Sequence, residues 1–171
     1  MCPIVRLCKS GVQHLKGIAG IPDDTILGAP VDLDIEAPVE LKSIALARHA
    51  AREAMEDSGV QLDQVDLTRF GCALSGHMGD TGWILRHGHR EDLLVPGALP
   101  WFEQWMPNTS CSQIANSYGL RGPRLTHSVA CASGLVDSLS AVRTSRDDQA
   151  DIALAGSGDE IPPLFAGGFD R

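Results

Sequence analysis

Aromatic side chains are scarce in this sequence: 5% of its 171 residues, with a single tyrosine. That excludes a core built around large rings, and the 18 glycines together with frequent alanine point to close backbone packing instead. Positive charge is also short. Fourteen Lys and Arg against 22 Asp and Glu leave a net charge of −8, which excludes the broad basic face that nucleic-acid binding needs. No apolar run approaches the roughly 18 residues of a membrane span. "MCPIVRLCKS" lacks the h-region of a signal peptide. The five cysteines (Cys2, Cys8, Cys72, Cys111 and Cys131) are odd in number and scattered, so a disulfide framework is not expected and a reduced, cytoplasmic protein is. Internal repeats and low-complexity stretches are missing. "GDTGWILRHGHRED" lacks the GxxxxGK[ST] spacing of a phosphate loop and reads as an ordinary loop. His87 and His89 have no third ligand beside them, so no metal site is expected.

What remains is an ordinary globular composition, 43% apolar and 21% charged, at about the length of one domain. Residues 1–38 are rich in Gly, Pro and Asp and read as loops with at most short elements. "LKSIALARHAAREAMEDSG" predicts a helix over 41–59, with Leu41, Ile44, Ala45, Ala51 and Met55 near one face and Gly59 placed for a left-handed cap. "RFGCALSG" predicts a strand over 69–76. Residues 77–100 are irregular, with one helical turn around Trp83–Arg86. A helix opens at Asn108 or Thr109 and closes at Gly119. "RLTHSVA" alternates as a strand over 124–130. A helix follows from Ser133, with Leu135, Leu139 and Val142 repeating and Arg143 and Arg146 at the favourable end of its dipole. "DIALAGSGDE" (151–160) has the continuous apolar character of a buried parallel strand. Residues 124–156 thus form a βαβ unit in an α/β protein.

Cys131 falls at the junction of the strand and helix of that unit. The unpaired N–H groups of a helix N-terminus stabilise a thiolate and can also bind an oxyanion in acyl transfer. Ala130, Ala132, Ser133 and Gly134 are small and leave room for a substrate to reach the sulfur. Free cysteine is equally among the most buried residue types, so the local pattern leaves nucleophile and core thiol both open. His127 lies in the strand ahead of Cys131, on the face alternate to Ala130, where it packs or hydrogen-bonds. His77 follows a glycine turn, and His14 and His49 carry no evident role.

An ordered series of segments resembles the N-terminal half of a β-ketoacyl synthase, the condensing enzymes with the thiolase fold. "KSGVQHL" resembles an early "QSGI"-type turn, and "AREAMEDSGV" a helix ending in "DSG". "RFGCALSG" is similar to the strand before a glycine turn. "MPNTSCSQIANSYGLRGP" resembles a segment written "NM…G.I…..GL.GP". "VACASGL" resembles the nucleophile motif "TACASG", "DQADIALAGSGDE" the strand "GDADVMIAGGAE", and "PLFAGGFDR" the loop that follows. The likeness runs from about Cys8 to Arg171, and the "GLRGP…ACASG…AG" series carries most of its specificity.

The resemblance implies the N-terminal half of a thiolase-like fold, a mixed sheet with packed helices, spanning 1–171 and incomplete. It implies that Cys131 takes an acyl chain from the phosphopantetheine thioester of acyl carrier protein, so no separate cofactor is needed. Decarboxylation of a malonyl unit then yields the carbanion that attacks the acyl-cysteine, in fatty acid or polyketide synthesis. Met106 and Phe169 match positions lining the acyl pocket, although both suit ordinary core packing. The implied partners are acyl carrier protein, docked on basic residues such as Arg121 and Arg124, and a second copy of the chain or a separate C-terminal half. The family's two histidines, its lysine and its "GFGG"-type loop match no position here. Nor does any stretch before Cys8 match the family's first strand, whose loss is expected to leave sheet edges unpaired. A non-catalytic relative and one part of a split enzyme are therefore alternatives. A thiolase-type acyl-coenzyme A enzyme is disfavoured by "GLRGP", and a chain-length-factor relative by the presence of Cys131.

Overall fold

The computed structural model describes residues 10–18, 20–31, 40–76, 84 and 99–169. The turn expected at Trp83–Arg86 lies outside them apart from Ile84, which is helical. The chain divides into two compact units, one of residues 37–160 and the other of 1–36 with 161–171.

In the larger unit, α1 (Lys42–Ser58) ends as its sequence predicts, with Gly59 left-handed at φ 68° and its N–H on the Glu56 carbonyl. Its start has no side-chain N-cap of its own. Gln104 substitutes from outside, with Oε1 accepting the Leu41 N–H at 2.8 Å. Gln104 belongs to a short helix the sequence did not announce, α2 (Trp101–Gln104). Helix α3 (Thr109–Ser117) closes at Gly119, left-handed at φ 67°, and the Leu120 N–H reaches back to the Ala115 carbonyl at 2.8 Å. Asn108 precedes α3 but makes no side-chain cap.

The sheet of this unit has the order β4-β3-β5 and is parallel throughout. Its strands are β3 (Phe70–Gly76), β4 (Arg124–Leu125) and β5 (Ile152–Gly158). β3 pairs with β5 along its whole length, from Phe70↔Ile152 to Gly76↔Gly158. β3 therefore has β5 along one whole side and β4 beside only Cys72 and Ala73 on the other. Among the described residues, β4 and β5 are both edge strands.

β3 is buried almost end to end, as a central parallel strand must be. Phe70, Cys72 and Leu74 of one face pack with Ala47 and Ala51 of α1, with Cys111, Ile114 and Ala115 of α3, and with Leu120. Ser75, on the opposite face, meets the last helix of the unit, α4 (Ser133–Arg146). Helices thus cover both faces of the sheet. Close approach is enforced at Gly122, where a Cβ would lie 2.6 Å from the carbonyl carbon and oxygen of Phe70.

The smaller unit holds a minimal antiparallel pair, β1 (Gln13–His14) with β2 (Leu27–Gly28). The Leu15 N–H extends the pairing to the Ile26 carbonyl at 2.8 Å. Asp23 Oδ1 accepts the Gly17 N–H inside the connecting loop at 2.8 Å. Residues 163–169, expected as a loop, form α5 (Pro163–Phe169). Proline at the first helical position suits that start, because its missing N–H has no partner there in any case.

Candidate active site

The strand expected over 124–130 pairs only at Arg124 and Leu125. Beyond them, side chains replace the backbone ladder. Thr126 Oγ1 donates to the Leu74 carbonyl at 3.1 Å. The His127 N–H donates to Ser75 Oγ at 3.0 Å, and the Val129 N–H to Ser133 Oγ at 3.1 Å. Polar side chains that compete for backbone groups in this way release the chain from the sheet.

The released segment turns sharply. Ala130 has φ 51°, a left-handed conformation that a residue with a Cβ adopts at an expense of about 1–3 kcal/mol. Residues 130–132 make a single 3₁₀ turn, closed by the Ala132 N–H on the Val129 carbonyl at 3.3 Å. Cys131 is the middle residue of that turn and is exposed. α4 begins two residues later, its first N–H, at Ser133, bonded back to the Ala130 carbonyl, so Cys131 precedes the positive end of the helix dipole. Gly134 brings this helix end close to the sheet, since a Cβ there would stand 2.5 Å from Ser157 Oγ of β5.

Two further side chains, Asp137 and Ser75, hold His127 in place. Asp137 is 0% exposed. One of its oxygens accepts the Ser75 hydroxyl, and the other lies 2.7 Å from His127 Nδ1. A carboxylate oxygen accepts, so Nδ1 is the ring nitrogen that donates to Asp137. The available signal for Asp137 was its spacing. Ser133, Asp137, Ala141 and Thr144 are the buried residues of α4, an inward stripe of small and polar groups. The apolar repeat Leu135, Leu139 and Val142 that was read from the sequence faces outward and is exposed.

The thiols separate by environment. Cys72 and Cys111 are free and buried, and Cys111 Sγ lies 3.3 Å from the Cys72 carbonyl oxygen. The hydrogen bond with Cys111, reinforced by burial, pushes the Cys72 thiol far above its ordinary range. Both are core residues. Met106 is 51% exposed, on the turn between α2 and α3, so the described residues close no acyl pocket around it. Phe169 is the last residue of α5. The basic residues considered for docking, Arg121 and Arg124, are both exposed, and Arg124 Nη2 donates to the Leu120 carbonyl at 2.8 Å. A groove of about 410 Å³ is lined in part by Arg48, His49, Arg52 and Tyr118, but Glu40 and Gln113 engage Arg48 and Glu56 engages Arg52. No helix among the described residues is long and apolar enough to cross a membrane.

A type II polyketide ketosynthase solved with its acyl-carrier protein and a hexaketide superposes with a TM-score of 0.67 at 20% identity, over 82% of this chain and 44% of that one. A β-ketoacyl synthase from Burkholderia phymatum STM815 gives a TM-score of 0.66 at 22% identity, over 84% and 38%. Residues 42–171 match the model of the β-ketoacyl synthase N-terminal domain. The chain therefore belongs to the β-ketoacyl synthase family. It is 31% identical to 3-oxoacyl-[acyl-carrier-protein] synthase 2 of Coxiella burnetii, over 94% of this chain and 42% of the relative. It is 34% identical to nodulation protein E of Rhizobium sp. (strain N33), over 90% and 39%. The chain thus spans about two-fifths of the length of these relatives.

Proposed function

We propose that this chain performs the acyl-loading step of a β-ketoacyl synthase, with Cys131 as the nucleophile. The observation that carries the reading is the exposed thiol on a strained turn against the N-terminus of α4, inside the matched domain. The thiolate attacks the carbonyl carbon of a phosphopantetheine thioester. Collapse of the tetrahedral adduct releases the pantetheine thiol and leaves an acyl-cysteine. N–H groups at the start of α4 favour both the thiolate and the developing oxyanion. Decarboxylative attack by malonyl-acyl carrier protein follows in fatty acid or polyketide synthesis, with Met106 and Phe169 alongside the acyl chain.

The partner assigned by this reading is acyl carrier protein, in the cytoplasm. A further protein surface is needed as well. Leu135, Leu139 and Val142 form an exposed apolar face on α4, and such a face favours burial against another surface. A second copy of the chain or a polypeptide carrying the rest of the synthase would cover it. If neither supplies the family's histidine pair, the second reading holds: a relative that loads or binds acyl groups without condensing them.

Limiting iodoacetamide followed by peptide mapping tests the nucleophile. Cys131 is expected to label first, and to become acylated by an acyl-pantetheine thioester. Equal labelling of all five thiols, or acylation that persists in Cys131→Ala, overturns the assignment.

A further inference from the structure

Cys72 and Cys111 stand on different elements, 39 residues apart in sequence, and meet where α3 packs on β3. Cys111 Sγ lies 3.3 Å from the Cys72 carbonyl oxygen, and Cys72 Sγ lies 3.8 Å from the Cys111 carbonyl oxygen. Each side chain therefore reaches the backbone of the other residue, and the two thiols are hydrogen-bonded to each other. Strand and helix are held close beside them. A Cβ at Gly76 of β3 would stand 3.0 Å from Ser110 Oγ of α3, and the Gly76 N–H bonds the Pro107 carbonyl at 3.3 Å.

Two thiols in contact differ chemically from two solitary core cysteines. One sulfur can ionise while its neighbour stays protonated and donates to it. The hydrogen bond from Cys72 lowers the Cys111 thiol below its ordinary range against the effect of burial, and the Leu74 N–H adds to it. Cys72, which gives that hydrogen bond and is itself buried, moves the opposite way. The pair is thus divided into an attacking thiolate and a neutral partner, the division of roles that disulfide formation uses.

We propose that Cys72 and Cys111 are a dithiol that hydrogen peroxide closes to a reversible disulfide between β3 and α3. The Cys111 thiolate attacks one peroxide oxygen and the O–O bond breaks. The departing hydroxide takes up the proton that Cys111 had lost and becomes water, and Cys111 is left as a sulfenic acid. The Cys72 sulfur then attacks the Cys111 sulfur. The S–O bond breaks, the hydroxyl leaves with the Cys72 proton as a second water, and the S–S bond remains. The two thiols together lose two electrons, and one peroxide is reduced to two waters. Dithiothreitol reverses the change by returning both hydrogens as it closes to its own cyclic disulfide. Each cysteine is 1% exposed, but peroxide is hardly larger than water, so local opening of the layer admits it. Cys131 takes no part, and the proposal stands apart from the acyl-transfer reading.

The test treats the full chain, folded at neutral pH, with excess hydrogen peroxide. Catalase ends the reaction, free thiols are alkylated in urea, and the protein is digested without reduction. The expected major product is a peptide pair joined through Cys72 and Cys111, two hydrogens lighter than the free peptides and lost after dithiothreitol. Cys72→Ala is expected to stop at the Cys111 sulfenic acid, which dimedone captures. Cys111→Ala is expected to yield at least about tenfold less dimedone adduct at Cys72, because its thiol stays neutral. If both thiols stay reduced, pair instead with Cys2, Cys8 or Cys131, or join only in protein unfolded by urea before oxidation, the proposal is overturned. Equal dimedone capture at the two sites overturns Cys111 as the attacking sulfur. None of these results bears on the labelling of Cys131 by iodoacetamide, so this proposal and the acyl-transfer reading fail separately.

Discussion

Ser75→Ala removes one oxygen atom from the middle of the Ser75–Asp137–His127 network and almost nothing else. Ser75 is 1% exposed, and alanine fills nearly the same volume, so no cavity term is expected. The Ser75 hydroxyl proton faces the Asp137 carboxylate and, at 2.8 Å, the His127 carbonyl oxygen, and its oxygen accepts the His127 N–H. The Asp137 carboxylate loses a donor inside the protein, and a hydrogen bond to a charged group contributes about 1.5–3 kcal/mol. The His127 N–H loses its acceptor, a neutral bond worth about 0.5–1.5 kcal/mol. The sum is a loss of about 2–4 kcal/mol, a large part of the roughly 5–15 kcal/mol by which domains are stable. Urea unfolding followed by circular dichroism measures it. With slopes of about 1–3 kcal/mol per molar, the midpoint falls by about 0.7–4 M. Ser138→Ala is the control: Ser138 is exposed and bonds only the carbonyl of its own helix, at Gly134. A loss at Ser75 within about 0.5 kcal/mol, the range of surface substitutions, would refute the account of a network that needs every member.

Three further outcomes follow from the packing and the charges. Gly122→Ala places a methyl group 2.6 Å from the Phe70 carbonyl, backbone that cannot rotate away. It is expected to lower stability by about 1–3 kcal/mol in the same urea experiment, and a change under about 0.5 kcal/mol contradicts the close approach. The hydrogen bond from Arg69, and then its charge, hold Asp151 below the ordinary carboxylate range. A depressed folded value stabilises above the unfolded one and is lost as pH falls through the folded value. The stability gap between wild type and Asp151→Asn should therefore persist at neutral pH and close below about pH 4, as read from thermal melts; a gap independent of pH argues against the pairing. If a second copy covers the outer face of α4, wild type is expected to self-associate in light scattering and Leu139→Asp to be monomeric with a little-changed unfolding midpoint; a monomeric wild type, or unaltered association in the variant, removes that face from a self-interface.

Much of the larger unit was legible because its signals are local. Gly59 ends α1 through its own left-handed backbone, and the apolar run around Leu154 has the composition of a buried strand wherever it pairs. The position of Cys131, just before a helix, follows from the small residues and helical spacing on its C-terminal side. Other features depend on partners distant in sequence. Alternation predicted a strand through Ala130, but it stops at Leu125 because Ser75, 52 residues away from His127, captures the His127 N–H. Periodicity correctly placed Leu135, Leu139 and Val142 on one face of α4, yet it carries no sign for inside or outside. Only the sheet decided that the stripe with Asp137 turns inward, since Ser75 and His127 bond its carboxylate there. The sequence alone thus determined that a cysteine stands at a strand-to-helix junction. The tertiary structure determined that this cysteine is exposed, while Cys72 and Cys111 are buried between β3 and α3. It also determined that an oriented imidazole is anchored to the same helix, because burial and hydrogen-bond direction arise only when separate segments pack together.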